Sequence, residues 1–206
     1  LNRTAFANVN DETTVVSTQT EEDAARTNAA VMNVHFRRAF AHAFDRAAYN
    51  AMATGEDLKM LSLRNTYTPW NFVWLEEDVT VDINGTATTF EAGTCYAEIM
   101  QAQMDADGVK FMVYNPEAND GNGSGDGYDG WYNPEAAKAE LAIAIEELKE
   151  AGVEISAENP IKLDLPYPEN RETYVNKANA MKQSVEAATD GMIEVTLVPC
   201  ANDDEW

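Results

Sequence analysis

The segment that most restricts the fold runs from Ile161 to Val198. In "IKLDLPY" the apolar residues Ile161, Leu163 and Leu165 alternate with their neighbours, which is the two-residue period of a strand. In "NRETYVNKANAMKQSVEAAT" the residues Tyr174, Ala178, Met181, Val185 and Ala188 recur at three- and four-residue steps and so share one helical face. "MIEVTLV" then returns to a strand pattern. Strand, helix and strand joined by short links close as a right-handed βαβ unit with parallel strands. The expected class is therefore α/β. In open α/β sheets ligands bind beyond the carboxyl ends of the strands. Here those ends are residues 166–171 and 199–206.

Upstream, residues 1–9 are expected to form a strand, followed by a polar connection rich in Thr, Asn and Asp. A helix is expected from Glu21, because "EEDAARTNAAVMN" opens with acids where the helix dipole favours them. Residues 34–53 predict one long helix, with Phe36, Phe40, Ala43, Phe44, Ala47 and Ala51 as an apolar stripe for core packing and Gly55 as its end. Alternation on both sides of Asn84-Gly85 predicts a hairpin, since a tight type I′ turn needs positive φ at both positions. A further helix is expected over 93–106. Asn133 as cap and Pro134 at the first helical position open another, which Gly152 stops.

Charge excludes some partners. Thirty-six acidic side chains against 14 basic ones leave a net charge of −22. Such a surface repels nucleic acid and anionic lipid. No apolar run approaches the roughly 18–20 residues that span a bilayer. The chain opens on Leu1 without an evident leader, so its targeting segment is expected elsewhere in a longer protein. Two cysteines, Cys95 and Cys200, make neither a disulfide scaffold nor a zinc site. They either pair or stay as buried thiols.

Catalytic and metal signals are weak. His35 and His42 lie seven residues apart, roughly 10 Å along a helix, and neither belongs to a metal motif. Both are expected at the surface or its boundary. In "NDGNGSGDGYDGW", Asp120, Asn122, Ser124 and Gly125 fit the first slots of a calcium loop. The twelfth position is Trp131, which has no carboxylate, and Pro116 opposes an entering helix. The span 107–132 is expected to be a flexible Gly/Asp-rich loop, with Trp131-Tyr132 anchoring the helix start and no metal or cofactor bound.

The helix "FRRAFAHAFDRAAYNAMATG" (36–55), through Arg38-Ala39-Phe40 and Ala43-Phe44-Asp45-Arg46, resembles a signature of the peptide-type extracellular solute-binding proteins that serve ABC importers. "LRNTYTPWNFV" (63–73), "GYDGWYNPEAAKAEL" (127–141) and the βαβ unit follow in that family's order. The combination is most similar to the oligopeptide-binding lipoproteins of Gram-positive bacteria.

The resemblance implies a mixed sheet flanked by helices, forming one lobe of a two-lobed periplasmic-binding-protein-like fold. Residues 1–206 would be a single lobe of a larger protein, with the peptide enclosed between lobes. It implies a non-catalytic protein held outside the cell by a lipid anchor and working with ABC permease subunits. Site residues carry over as Tyr167, Pro168, Asn170 and Thr173 in the loop after the first βαβ strand, and Trp206 as an aromatic lining side-chain pockets. Peptide binders need backbone hydrogen bonding and roomy aromatic pockets, which suits these residues. A different solute, such as a glycan or metal chelate, is the alternative within the fold. An adhesion or signalling module is the alternative outside transport.

Overall fold

The computed structural model describes residues 7–8, 11–15, 17–119 and 125–201. In chain order the elements are β1 (Ala7–Asn8), β2 (Asp11–Val15), α1 (Glu21–Met32), α2 (Val34–Ala43), α3 (Arg46–Thr54), β3 (Val79–Ile83) and β4 (Thr86–Phe90). There follow α4 (Tyr96–Ala106), α5 (Pro134–Glu150), β5 (Ile161–Pro168), α6 (Glu172–Ala188) and β6 (Ile193–Cys200). The chain divides into two compact units, one from residues 1–53 and 132–206, the other from 54–131.

The first unit contains the βαβ crossover as expected. β5 and β6 are parallel, in register from Ile161↔Ile193 to Pro168↔Cys200. Pro166, Pro168 and Pro199 lie inside these strands, which suits strands with an outer edge, since proline cannot donate to a second neighbour. α6 buries Ala178, Val185 and Ala188. The core joins these strands to α2 and α5 through Phe36, Ala39 and Ala43 on one helix and Ala137, Leu141, Ala144 and Leu148 on the other. Alanines at the crossing let the two helices approach closely.

Capping residues set the helix limits. Thr20 Oγ1 accepts the Asp23 N–H at 3.1 Å while Asp23 Oδ2 accepts the Thr20 N–H at 3.2 Å, a reciprocal capping box. Asn133 Oδ1 accepts the Ala136 N–H at 3.0 Å ahead of Pro134, as the sequence predicts. Gly152, at φ +82°, follows the end of α5.

The long helix over 34–53 is a correction. It is two helices, α2 and α3, separated at Phe44-Asp45. Phe44 is extended at φ −85° and ψ 107°. Asp45 Oδ1 then accepts the Ala48 N–H at 2.8 Å, which caps α3. The apolar stripe crosses the break because the period continues on both sides of it. A second correction concerns "DETTV", which is β2, antiparallel to β1, rather than a polar connection. Its two threonines and valine are β-branched and favour strand geometry. The remainder of the strand expected over 1–9 lies outside the described residues.

His42 also departs from expectation. It is fully buried, whereas His35 is partly exposed, with Nδ1 2.6 Å from Glu140 Oε2. The His42 carbonyl accepts the Asn133 N–H at 2.9 Å, so α2 is tied directly to the start of α5.

In the second unit, β3 and β4 pair antiparallel through the expected turn, with Asn84 at φ +51° and Gly85 at φ +82°. α4 begins at Tyr96, later than expected, because the chain first bridges Trp74 to Cys95. Asn65 organises the other end. Its N–H and Nδ2 both donate to Asp126 Oδ2, at 2.7 and 3.1 Å. Its Oδ1 accepts the Gly130 N–H at 2.9 Å, and its carbonyl accepts Trp131 Nε1 at 3.0 Å. Asp126 is buried and committed to this network. Residues 120–124, which carry the calcium-like start, lie outside the described residues. Cys95 and Cys200 are buried thiols and form no disulfide.

Candidate ligand site at the strand ends

The carboxyl ends of β5 and β6 meet the start of α6. Tyr167 is level with Pro199, and Pro168 with Cys200. The Glu169 N–H donates to the Cys200 carbonyl at 3.0 Å, which extends the pairing one step past β5. The chain then turns through Asn170, and the Arg171 N–H donates to the Pro168 carbonyl at 3.4 Å. Arg171 is the cap residue of α6, and Thr173 lies in its first turn.

This arrangement brings together four of the five residues expected at the site. Tyr167 is half-buried, while Asn170 and Thr173 are exposed and available for hydrogen bonding. Pro168 is instead buried against the sheet, where its ring directs the chain into the turn. Trp206 lies outside the described residues.

Residues that the sequence reading did not select also gather here. The Arg171 guanidinium sits 5.8 Å from the centre of the Tyr174 ring, and Lys177 Nζ sits 4.9 Å from the Tyr49 ring. Tyr49 packs edge-on to Phe44 at 5.3 Å. Burial, and then the neighbouring Tyr174, push the Tyr49 hydroxyl above its ordinary value. The signal for Arg171 and Tyr174 was their three-residue spacing at a helix start. Nothing local pointed to Tyr49, which comes from α3.

A concavity of about 480 Å³ lies elsewhere in the same unit, lined by Val31, Phe36, Phe40, Leu163, Leu165 and Met181 among others. It flanks the middle of β5, and its lining is mostly apolar, with Arg37 and Asp164 as the charged members. The strand-end region carries the exposed polar side chains of Asn170 and Thr173. Among the described residues no group of three or more His, Cys, Asp or Glu side chains is placed to hold a metal. No helix among them is long and apolar enough to cross a membrane.

Fold and strand ends together define an α/β protein organised round a parallel βαβ unit. No family model matches the chain. It is 33% identical over 171 residues to the oligopeptide-binding protein AliA of Streptococcus pneumoniae serotype 4, covering 83% of this chain and 22% of AliA. It is 34% identical over 169 residues to the oligopeptide-binding protein SarA of Streptococcus gordonii, covering 81% of this chain and 21% of SarA. The oligopeptide-binding protein AmiA of Streptococcus pneumoniae serotype 4 matches at 31% over 170 residues, or 82% of this chain and 22% of AmiA. By this similarity the chain is related to a segment of the oligopeptide-binding proteins. It spans about a fifth of the length of the curated relatives it matches.

Proposed function

We propose that the chain is one lobe of a two-lobed solute-binding protein that captures oligopeptides outside the cell for an ABC importer. The observation that carries this reading is the similarity to oligopeptide-binding proteins across four-fifths of the chain. The peptide lies between lobes, and lobe closure rather than chemistry retains it. The protein is not an enzyme. Permease subunits receive the peptide, and a lipid anchor elsewhere in the longer protein holds it at the cell surface.

In this reading the ligand meets the strand ends. Asn170 and Thr173 hydrogen-bond the peptide, Tyr167 and Trp206 contribute aromatic surface, and Pro168 shapes the turn between them. Backbone hydrogen bonds then supply affinity without dictating the peptide sequence.

The test is thermal unfolding of the full-length protein with mixed peptides and, separately, with sugars. Peptide at about 100 times Kd stabilises by about 2.7 kcal/mol. Stabilisation by sugars alone would sink the proposal. Tyr167→Ala and Asn170→Ala are expected to weaken peptide binding about tenfold or more, with unliganded stability nearly unchanged for the exposed Asn170.

A further inference from the structure

Between α3 and β3, aromatic side chains project outward from a backbone that is firmly held. The Val73 carbonyl accepts the Tyr96 N–H at 2.9 Å, and the Leu75 N–H donates to the Thr94 carbonyl at 3.0 Å. The Leu75 carbonyl accepts the Gly93 N–H at 2.8 Å. Trp74 Nε1 closes back onto the Asn71 carbonyl at 2.6 Å, and its ring packs edge-on to Trp70 at 6.2 Å. On this frame Phe72 is 74% exposed and Trp74 51%, with Val73 exposed between them, and Tyr67, earlier in the same connection, is fully exposed.

The Trp74 ring, held by Asn71 and Trp70, has little conformational entropy left to lose on binding. Trp and Tyr are also among the residue types that most often dominate interface energetics. Scattered apolar side chains need no explanation, but Phe72, Val73 and Trp74 are three consecutive exposed apolar residues, a run that marks an interaction surface. The chemistry of the partner follows from what adjoins the rings. Glu76 and Glu77 follow Trp74 after one residue, Leu75, and are exposed, and the chain carries a net charge of −22. A lysine or arginine side chain satisfies both features. Its aliphatic stem covers apolar surface, its cation is attracted to ring faces, and its charge complements the carboxylates.

We propose that residues 67–77 form a docking surface for a peptide segment rich in lysine or arginine, built from different residues than the strand-end site. The surface operates whether or not the chain serves peptide import. Cationic heads lie toward Glu76 and Glu77, and apolar side chains of the same segment rest on Phe72, Val73 and Trp74.

The experiment is calorimetric titration of the whole chain with a blocked decapeptide of alternating lysine and leucine, beside the same peptide with glutamate for lysine. The lysine peptide is expected to bind and the glutamate peptide not. Raising salt to roughly 0.5 M should weaken binding, because the contact is exposed and screened. The double variant Phe72→Ser, Trp74→Ser should lose about tenfold or more in affinity. Glu76→Gln with Glu77→Gln should lose less but flatten the salt dependence. Tyr67→Ser, at a fully exposed position, gives a second test if the double variant fails to fold. Absence of binding, equal binding of the glutamate peptide, or unchanged affinity in the folded surface variants would overturn the proposal. Binding lost instead on substituting Tyr167 and Asn170 assigns the peptide to the strand ends and also overturns it. So does concentration-dependent dimerisation that requires Trp74, which gives the face to a second copy of the chain.

Discussion

Glu186 closes the outer edge of β6 at Val195. Its Oε1 accepts the Val195 N–H at 3.0 Å, and Lys182 Nζ donates both to that oxygen at 2.6 Å and to the Val195 carbonyl at 2.8 Å. An ion pair one turn apart on α6 thus takes the place of a neighbouring strand for one residue. Edge backbone groups otherwise invite pairing with another chain. Val195 is itself buried, so its N–H has no ready access to water. Glu186→Ala is expected to destabilise the first unit by about 1–3 kcal/mol, as a buried donor loses its acceptor. The exposed Glu146→Ala should stay within about 0.5 kcal/mol of the parent. Urea denaturation of the two variants measures both, and equal effects would remove the edge-closing role.

Asp23 makes stability depend on acid. Burial alone would raise its carboxyl, but the Thr20 N–H, Lys162, Arg26 and the Thr20 hydroxyl outweigh it and hold the group down from the ordinary 3.8 to about 2. A carboxyl lowered on folding contributes stability that is complete above about pH 4 and is lost as pH falls through about 2. The shift corresponds to about 2 kcal/mol. Asp23→Asn should therefore lie about that far below the parent at neutral pH, with the gap narrowing between pH 4 and pH 2. A gap that does not change with pH would show that the carboxyl is not the titrating group.

Gly130 is required by close approach rather than by its dihedral angles. A Cβ there would collide with the Met112 carbonyl oxygen. The Gly130 carbonyl in turn accepts the Met112 N–H at 2.8 Å. Gly130→Ala is expected to cost about 3 kcal/mol or more in the second unit and to remove hydrogen-exchange protection at the Met112 amide. Gly85→Asn, in the hairpin turn, should cost less than about 1 kcal/mol, because asparagine tolerates positive φ.

The two cysteines are expected to be slow to react. Burial pushes the Cys95 thiol above its ordinary value, which depletes the reactive thiolate. Cys200 is equally buried, with Sγ 3.7 Å from the Val198 carbonyl. Mass spectrometry should find two unmodified thiols after iodoacetamide treatment of the folded chain and two alkylated ones after treatment in denaturant. Resistance of either residue in denaturant without reductant would point to a disulfide.

Elements specified by neighbours in the chain were legible. The alternation around Ile161 and Ile193, the period through Tyr174 to Ala188, the Asn84-Gly85 turn and the Asn133-Pro134 cap all depend on residues within one element or its flank. The strand-end rule selected residues 166–171, which include the end of β5 and the turn after it, whereas Thr173 was selected by the family resemblance and lies in the first turn of α6. The break at Asp45 was less legible, although aspartate is a good cap. A cap signal inside an unbroken apolar period is outvoted by the period itself.

Sequence alone therefore determined the βαβ crossover and its parallel sense, because period and handedness are local properties of an L-amino-acid chain. Only the tertiary structure decided that His42 is core, that Asn65 gathers Asp126, Gly130 and Trp131, and that Lys182 and Glu186 close an edge at Val195. A period states which face of an element is apolar. It does not state what covers that face, and a polar side chain reads the same in sequence whether water or a buried backbone group is its partner.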